Sequence, residues 1–493
     1  MLDQKTDLKS LLKDPSLLAE KAYIAGEWVA SETGATYEVT NPARGDVIAT
    51  VADPTRAQVA YAIEKAAEAQ KEWAQWTGKE RAAVLRRWFD LMMENQDDLA
   101  TILTAEQGKP LAEAKGEIAY GASFIEFFAE EAKRVYGETI PGHQRDKRIM
   151  VLKQPIGVAA SITPWNFPNA MITRKVGPAL AAGCGFVARP SELTPLSALA
   201  LGVLAERAGL PKGILSIVPT SDAPGTGQEF CENPIIRKIT FTGSTNVGRI
   251  LLRQAADQVM KCSMELGGNA PFIVFDDADL DDAVAGAIIC KFRNNGQTCV
   301  CANRIYVQDG IYDAFAEKLK AAVEALKVGD GLEAGTDLGP LINDKAIAKV
   351  QEHLADAKAK GGEVIVGGGD PLQGPGNFLP PTIVTGATRD MQFATEETFG
   401  PLAPLFRFKD EDEVIEMAND TIFGLASYFY AKDLSRVYKV AEALEYGMVG
   451  VNTGLISTEL APFGGVKQSG LGREGSHHGM EDYLEMKYVC LSV

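Results

Sequence analysis

A chain of 493 residues, 46% of them apolar, is long enough to bury several cores, and its length suggests two to four domains or subdomains. Its formal charge of -17 and isoelectric point near 4.9 exclude a nucleic-acid footprint, which needs a basic face that displaces counterions from phosphates. No apolar run reaches the length of a membrane span, and the opening Met1-Leu2-Asp3-Gln4-Lys5 leads into mixed charge instead of a signal-peptide apolar stretch, so a cytoplasmic location is expected.

Residues 53–135 read as long helices rich in Ala, Glu and Lys. Beyond them, short β-rich apolar runs at 157–162, 185–187, 214–218, 238–241 and 261–265 alternate with stretches of helical spacing at 168–182, 194–208 and 246–256. Such a βα repeat builds a Rossmann-like parallel sheet with helices on both faces, an α/β fold. The alternation restarts at 271–275, 304–307, 362–367, 382–384 and 403–408, which predicts a second α/β domain. Residues 367–376, rich in glycine and carrying Pro371 and Pro375, read as a surface loop. Residues 151–153 and 488–490 have the character of exposed strands.

The repeat contains no Gly-x-Gly-x-x-Gly fingerprint, and the near match at 329–335 does not join a strand to a helix. Gly243-Ser244-Thr245-Asn246-Val247-Gly248 instead follows a strand and opens a helix, where backbone amides attract a pyrophosphate. Ser, Thr and Asn there also serve as ordinary helix caps.

Three motifs carry chemistry. Phe292-Arg293-Asn294-Asn295-Gly296-Gln297-Thr298-Cys299-Val300-Cys301 sets Cys299 in a polar, glycine-flexed turn, although a free cysteine by itself is more often a small core residue. Met264-Glu265-Leu266-Gly267-Gly268-Asn269 places the Glu265 carboxylate on a Gly-Gly turn, where a general base would be mobile and reachable. Thr163-Pro164-Trp165-Asn166-Phe167-Pro168 presents the Asn166 amide between two prolines that fix the backbone. Thiol, carboxylate and amide are the parts needed to oxidise an aldehyde through a thioester. The four histidines, His143, His353, His477 and His478, lie in no zinc spacing, so no metal site is expected, and His477-His478 reads as a surface turn. Their scarcity also weakens a thiol hydrolase that would need a histidine base.

These motifs, together with Phe241-Thr242-Gly243-Ser244-Thr245, Glu396-Glu397-Thr398-Phe399-Gly400-Pro401 and Pro462-Phe463-Gly464-Gly465, resemble those of the aldehyde dehydrogenase superfamily from about Tyr23 to the C-terminus. The resemblance implies that 20–136 with 156–267 form an NAD(P)-binding domain, 268–465 a catalytic domain, and 137–155 with 480–493 the strands of an oligomerisation flap in a homodimer or homotetramer. It implies Cys299 as nucleophile, Glu265 as base, and Asn166 with the Cys299 backbone N–H as holders of the oxyanion. By the same resemblance Glu397 accepts hydrogen bonds from the nicotinamide ribose and Phe399 packs near the ring. Thr163, Pro164, Trp165, Gly243, Ser244 and the loop 220–224 line the remaining cofactor path.

Cofactor choice depends on Arg189, Ser191 and Glu192. A carboxylate at Glu192 can accept both adenosine ribose hydroxyls, whereas a 2'-phosphate facing it would cost about 4 kcal/mol per charge pair at 4 Å and an effective dielectric of 20. NAD is therefore preferred. Arg189, where the family usually carries lysine, can grip a phosphate with two hydrogen bonds and leaves NADP open. Arg174, Arg293 and Ser457 resemble the carboxylate clamp of the succinate-semialdehyde dehydrogenase subfamily, which implies a small acidic aldehyde as substrate. Cys301, two residues beyond the nucleophile, is a redox candidate able to form a strained Cys-x-Cys disulfide with Cys299. Two alternatives stay open: a dehydrogenase for glutarate semialdehyde or another acidic aldehyde, and a non-catalytic structural member of the fold.

Overall fold

The structure, a computed structural model, describes residues 7–493; the opening Met1 to Lys5, read above for its charge, lies outside them. It is mixed α/β, with two large sheets that position the site and two smaller ones among the described residues. The first has eight strands in the order Gly470–Leu471, Lys261–Glu265, Ile236–Thr242, Val158–Ile162, Gly185–Arg189, Leu215–Ile217, Ala22–Ile24 and Glu27–Val29. Its middle strands are parallel, and antiparallel pairs close both edges. Val158–Ile162 and Gly185–Arg189 are buried on both faces, which explains why they read as continuous apolar runs and not as alternating ones.

The second sheet runs Glu363–Val366, Thr382–Ala387, Leu402–Phe408, Ala302–Gln308, Ala270–Val274, Ala426–Tyr430 and Met448–Val451, parallel except at its first pair. Its last two strands were not read from the sequence. A third, antiparallel sheet of Leu484–Ser492, Lys147–Pro155 and Glu138–Ile140 stands apart and exposes Met486, Tyr488 and Leu491.

Local signals start the helices. Thr55 with Gln58 and Thr77 with Glu80 form capping boxes for Arg56–Trp73 and Gly78–Glu94. Gly108, at φ +97°, ends Gln96–Gln107 in a left-handed turn. The helix Ala170–Ala182 is buried along its whole length, though it carries Arg174 and Lys175. The carboxyl ends of the first sheet's parallel strands deliver Thr163, Arg189, Thr242 and Glu265 to one side, where ligands of open α/β sheets bind.

Candidate active site

The helix Leu280–Phe292 gives way to the turn Arg293–Gly296, which feeds Cys299. Asn294, Asn295 and Gly296 are left-handed in succession, at φ 52°, 54° and 76°. Asparagine tolerates this conformation better than most residues, and local bonds hold it there. The Asn294 N–H donates to Glu113 Oε2 at 2.9 Å, its side-chain Nδ2 to the Asn166 carbonyl at 3.0 Å, and Asn295 Nδ2 to the Gly339 carbonyl at 2.8 Å. A side chain at Gly296 would put Cβ 2.2 Å from the Gly400 carbonyl oxygen, so only glycine fits.

Cys299 reaches the surface of a deep cavity and remains a free thiol. Burial, then the Glu397 carboxylate, pushes that thiol up to about 12, with Arg174 opposing and Glu265 adding to the rise. Asn166 is buried; its Nδ2 donates to the Gln297 carbonyl at 3.0 Å, which leaves the second amide N–H for a ligand.

The sequence suggested a mobile Glu265. The structure instead makes it the last residue of the strand Lys261–Glu265, buried, with neither carboxylate oxygen hydrogen-bonded. Burial first, and then the neighbouring Glu474 carboxylate, raises Glu265 well above the usual range, against Arg174, Lys175 and Arg473. Burial alone would raise Glu474 too, but Lys175 and Arg174 outweigh it and hold Glu474 below its ordinary value. Lys175 Nζ bonds Glu474 Oε1, and Arg174 Nε lies 2.8 Å from Glu474 Oε2.

Two adjoining cavities, of about 220 and 340 Å³, share Pro164, Thr242 and Gly243. Trp165, Ser244, Glu397, Phe399 and Cys299 line the first; Thr163, Arg189, Ser191 and Glu192 line the second. Ser244 caps the helix Thr245–Ala256 by accepting the Val247 N–H. Glu397, which burial pushes up to about 8, accepts the Gly268 N–H at 3.2 Å. Phe399 holds φ 56° and meets Trp165 edge to face at 5.6 Å. Glu192 does not stand free as its carboxylate reading assumed: Arg189 Nη2 bonds Glu192 Oε2 at 2.7 Å and the Thr220 carbonyl at 2.9 Å.

A third cavity, of about 470 Å³, is lined by Arg293, Ser457, Tyr120, Phe167 and Glu113, among others. Asn166 and Cys299 face the first cavity while their neighbours Phe167 and Arg293 face this one, so the two chain segments form the wall between them. The Arg293 guanidinium sits 5.0 Å from the Phe167 ring centre and makes no hydrogen bond or ion pair among the described residues. Arg174 does not join it as a free clamp. Its buried guanidinium pairs with Glu474, stacks 3.9 Å from the Phe463 ring centre and donates to the Tyr120 hydroxyl at 3.4 Å. A fully buried arginine needs such a carboxylate, since unpaired it would carry a large desolvation cost. Cys301 is buried, with Sγ 4.0 Å from the Arg293 carbonyl.

Sequence reasoning missed Lys175 and Glu474. A signal existed for the first, because two adjacent cations in an otherwise apolar helix require a buried anion. Glu474, in a glycine-rich turn, offered none.

Residues 28–489 match the profile of the Aldehyde dehydrogenase family, with the thiol and the amide on the wall of one cavity and the carboxylate at a strand end next to Leu266 and Gly267 of that wall. The chain belongs to the aldehyde dehydrogenase family. It is 66% identical to a glutarate-semialdehyde dehydrogenase of Pseudomonas putida over 98% of this chain and 100% of that protein. It is 62% identical to the succinate-semialdehyde dehydrogenase [NADP(+)] of Escherichia coli, strain K12, again over 98% and 100%. A crystal structure of succinate-semialdehyde dehydrogenase from Burkholderia pseudomallei superposes with a TM-score of 0.96 at 63% identity, covering 98% of this chain and 100% of that one. As an aldehyde dehydrogenase the protein oxidises aldehydes with NAD(P), and no helix among its described residues is long and apolar enough to cross a membrane.

Proposed function

We propose that this aldehyde dehydrogenase oxidises a short aldehyde with a distal acid group, succinate semialdehyde above all, to the corresponding diacid. The observation that carries the reading is the unpaired Arg293 guanidinium in the cavity beside Cys299, with Ser457 on the same wall. A guanidinium there binds a carboxylate with charge-assisted hydrogen bonds and sets the far end of the chain against the thiol. Arg174 supports the same site from behind, through its positive charge near Cys299 and Glu265. A glutarate substrate is the second reading, favoured by the Pseudomonas putida relative at 66% identity.

Cys299 adds to the aldehyde carbon. Its thiol gives up its proton to Glu265, whose burial makes it a stronger base than a free carboxylate, and Glu265 passes that proton to solvent before the thioester is hydrolysed. The free Asn166 N–H and the Cys299 backbone N–H hold the oxyanion, a contribution of about 3 to 4 kcal/mol per donor. The cavities fit NAD(P): they contain the capped helix at Ser244, the buried and unbonded Thr163 hydroxyl and Arg189 Nε, and the Glu397 carboxylate. Bound there, NAD(P) supplies the acceptor for the hydride that leaves the aldehyde carbon. Cys299 then holds the acid as a thioester. Glu265 takes a proton from water, the resulting hydroxide attacks the thioester carbon, and the acid leaves as the thiol is restored.

NAD is the preferred cofactor in this reading, because the half-exposed Glu192 side chain can turn from Arg189 to the ribose hydroxyls. The Arg189–Glu192 pair also supports NADP, since it partly cancels the charge that a 2'-phosphate would meet, and NADP(+) is the cofactor of the Escherichia coli relative. Cys301 remains assigned as a redox partner of Cys299, for which its thiol must turn from the Arg293 carbonyl. The three-part division at 20–136 with 156–267, 268–465, and 137–155 with 480–493, the cytoplasmic location and a homodimer or homotetramer through the third sheet belong to the same proposal.

Steady-state kinetics with succinate semialdehyde, glutarate semialdehyde and butanal, each with NAD and with NADP, test it. The expected order of kcat/KM is succinate, glutarate, butanal, with NAD ahead of NADP and no NADH formed by Cys299→Ala. Equal use of butanal overturns acid selectivity, a lead for glutarate installs the second reading, and a lead for NADP reverses the cofactor preference.

A further inference from the structure

We propose that Lys109 is a positioning residue of this reaction: its ammonium, pinned by Glu117, fixes the Asn166 peptide so that the Asn166 side-chain amide meets the oxyanion forming beside Cys299. The inference rests on the reading of Asn166 as oxyanion donor.

Lys109 follows the left-handed Gly108 that ends the helix Gln96–Gln107, and it is only 2% exposed. Its Nζ bonds Glu117 Oε2 at 2.6 Å and the Asn166 backbone carbonyl at 2.8 Å, and it lies 3.8 Å from the Phe167 ring centre. An ammonium has three N–H directions, and all three find partners here. The other Glu117 oxygen accepts the N–H groups of Asn169 at 3.0 Å and Ala170 at 3.2 Å, where the helix carrying Arg174 and Lys175 begins. One ion pair thus clamps both sides of the 166–170 turn.

The same stretch reaches the nucleophile's loop. Gln107 Nε2 donates to Asn294 Oδ1 at 3.0 Å, and Asn294 Nδ2 donates to that same Asn166 carbonyl. Asn166 is therefore held through its backbone oxygen by Lys109 from one side and by Gln107, through Asn294, from the other. Its side-chain amide, bonded to the Gln297 carbonyl through one N–H, keeps the other for the substrate.

A stabilising role alone does not account for the pair. Both partners are 1% exposed, and a buried ion pair recovers so little of its desolvation cost that apolar replacements of equal volume are often neutral or stabilising. What an apolar pair cannot do is donate to the Asn166 carbonyl. A displacement of about 1 Å at that amide is enough to cost on the order of a hundredfold in rate.

The test removes both charges together, Lys109→Met with Glu117→Gln, so that neither is left buried alone. The readouts are the pre-steady-state NAD(P)H burst rate, cofactor affinity, and the rate at which iodoacetamide alkylates Cys299. We expect the burst to slow by about tenfold to a hundredfold while alkylation and cofactor affinity change by less than about threefold. In an Asn166→Ala background the same two substitutions should change the burst by less than about threefold, because residues acting through one group are not additive. A burst within threefold of the parent, or a full loss that persists in the Asn166→Ala background, overturns the proposal. If the double variant does not fold, Lys109→Arg replaces it, keeping a charge for Glu117 while its planar head overfills the space at Asn166. The expected and overturning outcomes are the same. An unchanged burst in Asn166→Ala alone would instead remove the oxyanion reading on which the inference rests.

Discussion

An arginine meets a glutamate at both ends of the site, and burial separates what the two pairs do. At the substrate end Arg174 and Glu474 are 1% and 5% exposed, and Lys175 binds the same carboxylate. At the adenosine end Arg189 is 5% exposed but Glu192 is 42% exposed. The arginines are equally dry; the carboxylates are not. A dry carboxylate between two cations cannot leave, so Glu474 is a fixed charge that raises Glu265. A wet carboxylate can exchange its arginine for another donor, in the proposed reading a ribose hydroxyl, so Glu192 is adjustable.

The largest expected effect comes from Glu474→Gln, which leaves Arg174 and Lys175 buried without their anion. A loss of about 3 to 5 kcal/mol in urea unfolding is expected, and a loss under about 1 kcal/mol, typical of a surface pair, would erase the distinction between the two ends. The same variant sharpens the electrostatic half of the comparison. In the proposed mechanism Glu265 must be ionised to activate water, and its raised pKa sets where deacylation fails as pH falls; without the Glu474 charge that pKa drops. The acid limb of the kcat profile should therefore move to lower pH, and a move to higher pH would overturn Glu474 as the charge that raises Glu265.

Arg293 comes next, as the one arginine of the substrate end that no carboxylate locks. Arg293→Ala should raise KM for succinate semialdehyde by about ten- to a hundredfold, the worth of a hydrogen bond to a charged group, while KM for butanal barely moves. Equal changes for both aldehydes would place Arg293 in the fold and not in recognition.

The smallest effect on stability belongs to Glu192→Ser, expected within about 1 kcal/mol because one partner of its ion pair is half in water. Its consequence should appear in selectivity, as a higher ratio of kcat/KM with NADP to kcat/KM with NAD. An unchanged ratio would show that the pair never opens for the cofactor.

Much of this architecture was legible in the sequence wherever local chemistry repeats. The βα alternation between 157 and 268 follows from strands buried on both faces, which leave unbroken apolar runs, and the helix at Ser244 from an ordinary cap. Ala426–Tyr430 and Met448–Val451 went unread although the amphipathic helix Leu434–Ala443 crosses between them, and Gly470–Leu471 escaped because two residues carry no period at all. The motifs at 166, 265 and 299 were visible as residue types in special turns. The charges behind them were not: Glu474 and Lys109 are defined by partners 299 and 57 residues away in the chain. Arg174 shows the limit most plainly. Sequence gives its cation, but only the packed structure gives the carboxylate that already occupies it.

The strand Gly470–Leu471 joins the first sheet beside Glu265, and Glu474 follows it by three residues. A chain emerging from the ribosome therefore carries its thiol, its base and its amide long before it owns the strand and the anion that complete their surroundings. Synthesis itself orders the assembly, and the enzyme has no finished site until residues 470–474 have been delivered.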